Sequence, residues 1–167
     1  HQLLNQAKVI VYSGLHLEGQ MTGALENLSR KKPVIKLTDG IQKSKLIRSE
    51  DFAGSYDPHF WFDIQLFQEV VKHCGAELQK YFPESKDTIA ANTHHYLKQL
   101  DSASQVINSL MMQLPVEKRI LITAHDAFSY FGKSHQIRIK GVQGASTAAE
   151  AGLKDITNLV QSIIQNE

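Results

Sequence analysis

Apolar residues in the first part of the chain follow a strand pattern, then a helix pattern, then a strand pattern again. Residues 9–12 and 34–38 are short β-branched runs, and a glycine-containing turn follows each of them. The apolar residues between the two runs recur at the spacing of one helix face, at Leu17, Met21, Leu25 and Leu28. This order predicts a β-α-β unit with parallel strands.

The same order returns near the end of the chain. Residues 120–123 and 137–140 are strand-like runs on either side of a short helical pattern at 127–133. A closing helix is predicted over residues 147–165, with a Thr-Ala-Ala-Glu capping box at its start. Two-stranded parallel units do not stand alone, because open parallel sheets have about four or more strands. We therefore expect both regions to be parts of larger α/β lobes, and the chain to be an incomplete piece of a longer protein.

A long and regular helical pattern separates the two regions. Its apolar residues follow a 4-3-4-3 spacing, at Ile89, Thr93, Tyr96, Leu100, Ala103, Ile107, Leu110 and Leu114. The pattern predicts one helix between Pro83 and Pro115, about 45 Å long at roughly 1.5 Å per residue. A packing helix in a bundle would show the same pattern, but the position between two α/β regions favours a strut that joins two lobes. The predicted division is part of an N-terminal lobe, a linking helix and part of a C-terminal lobe, at residues 1–82, 83–115 and 116–167.

Charge and cysteine content exclude several classes of partner and site. The formal net charge is +1 and the basic run at residues 30–32 is short, so a nucleic-acid partner is not expected. The single cysteine, Cys74, excludes an intramolecular disulfide and a multi-cysteine metal site. The sequence shows neither an apolar run of about 20 residues nor a signal peptide. Because it also lacks an initiating Met, we expect the chain to begin partway through a gene product.

Eight histidines are many for 167 residues. Structural or solvent-facing roles are expected for the histidines in helical patterns, His73, His94 and His95, and for His135 after a short helix, whereas His1 is terminal and uninformative. His16 lies just beyond a strand end, where ligands often bind in parallel α/β folds. It is therefore a candidate binding residue, although a weaker one than the two histidines described next.

His59 and His125 have the strongest settings. His59 stands in Asp-Pro-His-Phe-Trp-Phe-Asp at residues 57–63, where a proline fixes the backbone, aromatic residues surround the imidazole, and a helix begins directly afterwards. His125 follows Thr-Ala at the carboxyl end of a predicted strand. Imidazole binds zinc, iron and manganese, and the neighbouring carboxylate of Asp57 or Asp126 could orient a ring. From these residues alone, a structural role and a metal-binding role both stay open.

Three motifs together resemble a known family. Asp-Pro-His-Phe-Trp-Phe-Asp at 57–63, Thr-Ala-His-Asp-Ala-Phe-Ser-Tyr-Phe at 123–131 and Gly-Val-Gln-Gly-Ala-Ser-Thr at 141–147 resemble the cluster A-I metal-binding proteins of ABC transporters, the TroA-like zinc/manganese family. Gly-Leu-His-Leu-Glu at 14–18 and Thr-Asp-Gly-Ile at 38–41 fit the same family. The resemblance implies an α/β fold with two Rossmann-like lobes, parallel sheets and one long backbone helix, with a metal ion in the cleft between the lobes.

The resemblance also implies a ligand set. His59 matches the second metal ligand of the family and His125 the third, whereas the first, in an upstream Asp-Pro-His-x-Tyr motif, and the fourth, a downstream acidic residue, have no counterpart in this chain. His16 matches no ligand position. We expect the nitrogen atoms of the two rings, one from each predicted lobe, to lie within about 3 to 5 Å of each other around a metal with bonds of roughly 2 Å.

Zinc is the first expectation for the metal, because nitrogen ligands suit zinc and because manganese-dedicated relatives usually carry Glu where this chain has His125. Manganese is the second expectation, and iron is possible. The resemblance implies a monomer in the periplasm or at the cell surface, lipid-anchored in the full-length protein, which captures a transition-metal ion and delivers it to a membrane permease without chemical turnover. A metal-dependent hydrolase and a surface adhesin with the same fold are the alternatives.

Overall fold

The computed structural model of the chain describes residues 2–49 and 55–143. Among these residues the helices are α1 (Gln2–Gln6), α2 (Thr22–Ser29), α3 (Ile64–Tyr81), α4 (Lys86–Met112) and α5 (Ser129–His135), and the strands are β1 (Ile10–Tyr12), β2 (Val34–Lys36), β3 (Ile120–His125) and β4 (Arg138–Gln143). The predicted closing helix at 147–165 lies outside the described residues. No helix in the described ranges combines the length and the apolar character needed to cross a membrane.

Contacts divide the chain into two compact units, each of which contains one parallel pair of strands. Unit 1 draws its described residues from 1–46 and 64–105, and unit 2 from 47–63 and 106–167. In unit 1, β1 pairs with β2, and in unit 2, β3 pairs with β4, both parallel. The prediction of an α/β fold with parallel strands and a long helix is therefore confirmed.

The core of unit 1 lies between its sheet and the helices that cover it. Its buried side chains are Ile10, Leu25, Ile35, Ile41, Leu66 and Val70. The helices α3 and α4 approach closely at Gly75, where an added Cβ would lie 2.4 Å from Oγ1 of Thr93. The absence of a side chain at Gly75 thus sets the distance between the two helices.

The long helix α4 lies within the predicted range of 83–115, and Pro83–Ser85 precede it as a short 3-10 helix. Its apolar stripe differs from the predicted one, because Tyr96 is 42% exposed and Leu110 is 59% exposed. The half-buried positions instead follow the sequence Ile89, Thr93, Leu97, Leu100, Ser104, Ile107 and Met111. No described residue of α4 is fully buried. The helix contributes residues to both units.

Unit 2 also includes residues 47–63, which the predicted boundaries assign to the first lobe. The physical reason is a set of contacts with α5, since the buried hydroxyl of Tyr130 bonds to the backbone of both Ile47 and Asp57. The hydroxyl of Ser134 also donates to the carboxylate of Asp63 at 2.7 Å. Within this unit, residues 47–63 are therefore held against α5, while the boundaries at residues 82 and 115 stay a prediction.

Candidate metal centre

The imidazole of His59 is held by its own motif. The Oδ1 atom of Asp57 accepts a hydrogen bond from the backbone N–H of His59 at 2.9 Å and lies 2.7 Å from the Nδ1 atom of the same residue. Both residues are buried, at 5% and 7% exposure. A carboxylate can only accept, so Nδ1 carries the hydrogen, and the neutral ring then presents its lone pair on Nε2. Short-range chain geometry thus selects the nitrogen that is available to a ligand.

The ring of His125 comes from the carboxyl end of β3, where the strand leads into α5. Its carbonyl oxygen accepts hydrogen bonds from the Thr123 hydroxyl at 2.9 Å and from the Ala127 backbone N–H at 3.0 Å. Its backbone is also in register with Gln143 on the neighbouring strand β4. The turn that carries this imidazole is therefore fixed at several backbone atoms.

The structure brings the two imidazoles together. The Nε2 atoms of His59 and His125 lie 3.4 Å apart, and the ring planes meet at 74° with centroids 5.2 Å apart. This distance lies within the range expected from the sequence, although both rings belong to unit 2. The role of the two residues as metal ligands stays a prediction.

The separation of the two nitrogen atoms has a simple chemical reading. Two metal–nitrogen bonds of about 2.0 to 2.1 Å at a tetrahedral angle place the nitrogen atoms about 3.3 to 3.4 Å apart. A direct hydrogen bond between imidazoles would prefer about 2.7 to 3.2 Å. The observed 3.4 Å matches the first geometry better than the second.

Aromatic side chains cluster beside His59, as the motif predicts. The ring of Trp61 meets that of His59 edge-on with centroids 5.3 Å apart, and Phe62 packs on Phe128 at 4.4 Å. Phe60 is buried at 2% exposure. These rings lower the local polarity around His59, which strengthens electrostatic interactions at its nitrogen atoms.

Of the two carboxylates considered as orienting groups, Asp57 performs that role for His59. Asp126 accepts a hydrogen bond from the Ser129 hydroxyl at 3.5 Å, and its backbone lies so close to Gly141 that a Cβ there would approach the Asp126 Cβ to 2.6 Å. The structure thus places Asp126 at the contact between the end of β3 and β4.

The weaker candidate, His16, lies in a left-handed loop after β1. Gly14, Leu15 and His16 have φ values of 95°, 54° and 62°. The carboxylate of Glu18 braces the loop, because it accepts hydrogen bonds from the backbone N–H groups of Ser13 at 2.6 Å and Gly14 at 3.1 Å. The side chain of His16 is exposed. The structure therefore offers a local structural account of this motif.

The remaining histidines have the settings that the sequence suggests. His94 and His95 are exposed on α4, and His73 is half-buried beside Gly40. His135 packs on the ring of Phe131 with centroids 4.6 Å apart, and burial lowers its pKa. His1 lies outside the described residues. In the part of the chain that the structure describes, no cluster of three or more His, Cys, Asp or Glu side chains could hold a metal ion.

Sequence reasoning missed Tyr130, which is the second residue of α5. Its side chain is 1% exposed, and its hydroxyl accepts from the Ile47 N–H at 3.0 Å and donates to the Asp57 carbonyl at 2.9 Å. In the sequence it is one of several aromatic residues after His125, so its pattern resembles that of any core residue. Only the fold shows that its hydroxyl reaches the loop of His59.

Comparisons with known proteins agree with the motifs. The family described as zinc-uptake complex component A, periplasmic, matches residues 1–167. The manganese-binding lipoprotein MntA of Bacillus subtilis is 35% identical over 164 residues, which are 98% of this chain and 53% of that protein. The zinc-binding protein TroA of Treponema pallidum is also 35% identical over 164 residues, with the same coverage of 98% and 53%. The chain thus spans about half the length of these relatives.

A solved structure extends the agreement to the fold. The periplasmic zinc-binding protein TroA from Treponema pallidum superposes with a TM-score of 0.91 at 34% identity, over 99% of this chain and 59% of that chain. Since the match to the family covers every residue and the fold agrees as well, the chain belongs to the zinc-uptake complex component A family, the metal-binding solute-binding proteins of ABC transporters.

Proposed function

We propose that this chain is part of an extracytoplasmic solute-binding protein that captures a transition-metal ion and delivers it to an ABC transporter permease. His59 and His125 supply two imidazole ligands through their Nε2 atoms. The observation that carries the proposal is the 3.4 Å separation of those atoms, with the Nδ1 atom of His59 held by Asp57. Both lone pairs can then point to one ion without reorientation of the buried ring.

Zinc is the first choice for the ion, with manganese second and iron third. Neutral imidazole nitrogen suits zinc better than manganese, which favours oxygen ligands. Of the two similar proteins described above, TroA is named a zinc-binding protein and MntA a manganese-binding lipoprotein. The imidazole nitrogen at position 125 supports zinc as the first choice.

Two imidazoles are fewer ligands than a tetrahedral zinc site needs, since such sites have about four. We propose that an upstream histidine and a downstream acidic residue complete the set in a longer protein, because this chain spans 53% of the relatives it matches. The described residues alone should therefore hold the ion weakly, with water at the remaining positions. We therefore expect weak metal binding by this chain and tight metal binding by a longer protein that supplies the other two ligands.

Location and partner follow from the same proposal. The protein acts as a monomer in the periplasm or at the cell surface, where a lipid anchor keeps it near the permease, in line with relatives that are named lipoproteins. No chemical turnover is proposed, because a hydrolase would need a water activated at an open metal position and a general base beside it. The ion itself is the cargo.

Calorimetric titration of the 167-residue chain with Zn²⁺ and Mn²⁺ tests the proposal. We expect one Zn²⁺ site per chain, which His59→Gln or His125→Gln weakens by at least about tenfold, since each substitution removes a metal–nitrogen bond. His95→Gln is the matched control, because this imidazole is exposed on α4. Equal Zn²⁺ affinity in all four proteins would show that the two-histidine pair is structural.

A further inference from the structure

Residues 47–49 and 55–57, which pair as the base of a hairpin, have an unusual hydrogen-bond pattern. The Asp57 N–H donates to the Ile47 carbonyl at 2.9 Å, the Ser49 N–H donates to the Ser55 carbonyl at 3.0 Å, and Arg48 forms an antiparallel bridge with Tyr56. In an antiparallel ladder, Ile47 and Asp57 would exchange a second, reciprocal bond. That bond is replaced by a side chain from another element.

The replacement is the hydroxyl of Tyr130 on α5. It accepts from the Ile47 N–H at 3.0 Å and donates to the Asp57 carbonyl at 2.9 Å, so it bridges the two backbone groups that would otherwise pair directly. The side chain is among the most buried of the described residues, at 1% exposure. A phenylalanine would fill the same space but could make neither hydrogen bond, so the contribution of the hydroxyl goes beyond packing.

Asp57 links this bridge to the imidazole pair. Its carbonyl is bonded to Tyr130, while its carboxylate is bonded to the backbone and the ring of His59. A shift of the backbone at Asp57 would therefore move the acceptor that fixes the Nδ1 hydrogen of His59. The second imidazole, His125, stands at the end of β3 only a few residues before α5. Both imidazole-bearing segments are thus tied to the same short helix.

We propose that Tyr130 is a positioning residue of the two-histidine site, which holds Asp57 and, through it, the ring of His59 in the orientation that meets His125. This inference rests on the proposed function, in which the site binds a metal ion. In this proposal Tyr130 acts through Asp57 and does not itself bind the ion. Without its hydroxyl, the Ile47 N–H and the Asp57 carbonyl lose their shared partner or move together to bond directly, and each change loosens or displaces Asp57.

A metal-free measurement tests the positioning step. In the wild-type chain, long-range ¹H–¹⁵N spectra of the imidazoles at a fixed neutral pH should show His59 as one tautomer, with the hydrogen on Nδ1. Tyr130→Phe should shift the His59 signals and mix the two tautomers, whereas Tyr81→Phe, which removes a hydroxyl from an exposed residue of α3, should leave them unchanged. Unchanged His59 signals in folded Tyr130→Phe would overturn the proposal.

Metal binding supplies the second readout. Tyr130→Phe should weaken Zn²⁺ binding by about tenfold, the lower end of the effect of outer groups that orient ligands, and should alter the visible absorption of bound Co²⁺. Tyr81→Phe should do neither. If His59→Gln does not affect metal binding in the wild-type background, the proposed function fails, while the metal-free spectra still decide the role of Tyr130.

A measurement on the wild-type chain covers the case in which Tyr130→Phe does not fold. A hydroxyl bonded on both sides and buried from water should exchange slowly enough for its proton to appear in the NMR spectrum, with a nuclear Overhauser contact to the Ile47 amide. A Tyr130 hydroxyl proton in fast exchange with water would overturn the proposed bridge.

Discussion

The Oδ1 atom of Asp57 lies within hydrogen-bond distance of two nitrogen atoms of His59, the backbone nitrogen at 2.9 Å and Nδ1 at 2.7 Å. One carboxylate oxygen thereby fixes both the turn and the imidazole that the turn carries. These two hydrogen bonds are local, because the residues are only two positions apart, whereas the backbone of Asp57 is also bonded to the distant Tyr130 hydroxyl. The proline between them restricts the backbone further, since its ring fixes φ.

Asp57→Asn tests the importance of that carboxylate. The amide has nearly the same shape, but its neutral oxygen is a weaker acceptor and its nitrogen can present a donor to the ring instead. We expect Zn²⁺ affinity to fall by about 10- to 100-fold, the usual effect of losing a carboxylate that orients a ligating histidine. Calorimetry measures it, with the exposed Asp87→Asn as the control. Affinity within twofold of wild type would show that the ring keeps its orientation without a carboxylate.

Gly75→Ala should destabilise the protein, although alanine is the better helix former. The new Cβ would lie 2.4 Å from Oγ1 and 2.9 Å from Cγ2 of Thr93, whose hydroxyl is already bonded to the Ile89 carbonyl. Such overpacking costs about 1 to 3 kcal/mol, which exceeds the gain in helix propensity of about 1 kcal/mol. Urea unfolding should show the loss, and the double variant with Thr93→Ala should recover most of it.

Gly23→Ala is the matched control for this effect. Gly23 is also helical, in α2, but no atom lies within 4 Å of the position of its missing Cβ. Helix propensity should then dominate, and the free energy of unfolding should rise by up to about 1 kcal/mol. A destabilised Gly23→Ala together with an unaffected Gly75→Ala would contradict the close helix contact.

The helix α4 shows how much of a helix the spacing of apolar residues can predict. Its existence follows from the sequence, because the apolar spacing is long and uninterrupted by Gly or Pro between residues 84 and 114. The buried face follows only in part: Thr93, Leu100 and Ile107 are half-buried as predicted, but Leu97 and Met111 are half-buried where the pattern predicts Tyr96 and Leu110. Apolar residues stand in both neighbouring positions, so the sequence pattern does not decide which of the two the rest of the protein covers.

The candidate metal centre could be predicted from the sequence only in part. The positions of His59 and His125 follow from local rules, because each stands next to the end of a regular element and within a dense motif. Tyr130 could not be found in this way, since its contact with Ile47 spans 83 residues and depends on how the hairpin packs on α5. A sequence pattern identifies a buried aromatic ring, but the partner of its hydroxyl is decided by tertiary structure.

Arg119 should stabilise unit 2 through its forked side chain. Its Nε, Nη1 and Nη2 atoms donate to the carbonyls of Leu114 at 2.9 Å, His135 at 3.0 Å and Met111 at 2.6 Å. The guanidinium thus joins the segment after α4 to the end of α5, and a lysine cannot span these acceptors with one ammonium. Arg119→Lys should lower the free energy of unfolding by about 1 to 3 kcal/mol.

Thermal and urea unfolding measure this loss, with the neighbouring Lys118→Arg as the control. Lys118 is exposed, so exchanging its charged group should change stability by less than about 0.5 kcal/mol. Hydrogen exchange adds a local readout, because the amides at the end of α5 should lose protection in Arg119→Lys. Equal protection of these amides in both variants would show that Arg119 does not stabilise the end of α5.

Alkaline pH should selectively weaken the contact between Tyr130 and the hairpin. Burial is the largest cause that raises the pKa of this hydroxyl from 10.0 to about 12, with smaller increases from Asp57 and Asp63, while the Ile47 N–H acts in the opposite direction. Because the folded pKa is the higher one, the folded protein binds the proton more tightly. The associated stability is fully present below pH 10 and is lost as pH rises through about 12.

The comparison of wild type with Tyr130→Phe isolates this contribution from the other tyrosines and the lysines. The wild-type advantage should therefore shrink as the pH rises from 10 towards 12, because the folded protein binds the Tyr130 proton more tightly than the unfolded one. Urea unfolding at pH 8, 9, 10 and 11 would follow the onset of the loss, and absorbance of the ionised phenol would report the pKa directly. If the difference between the two proteins stayed constant over this range, the Tyr130 hydroxyl would not be the buried, doubly bonded group that the contacts with Ile47 and Asp57 indicate.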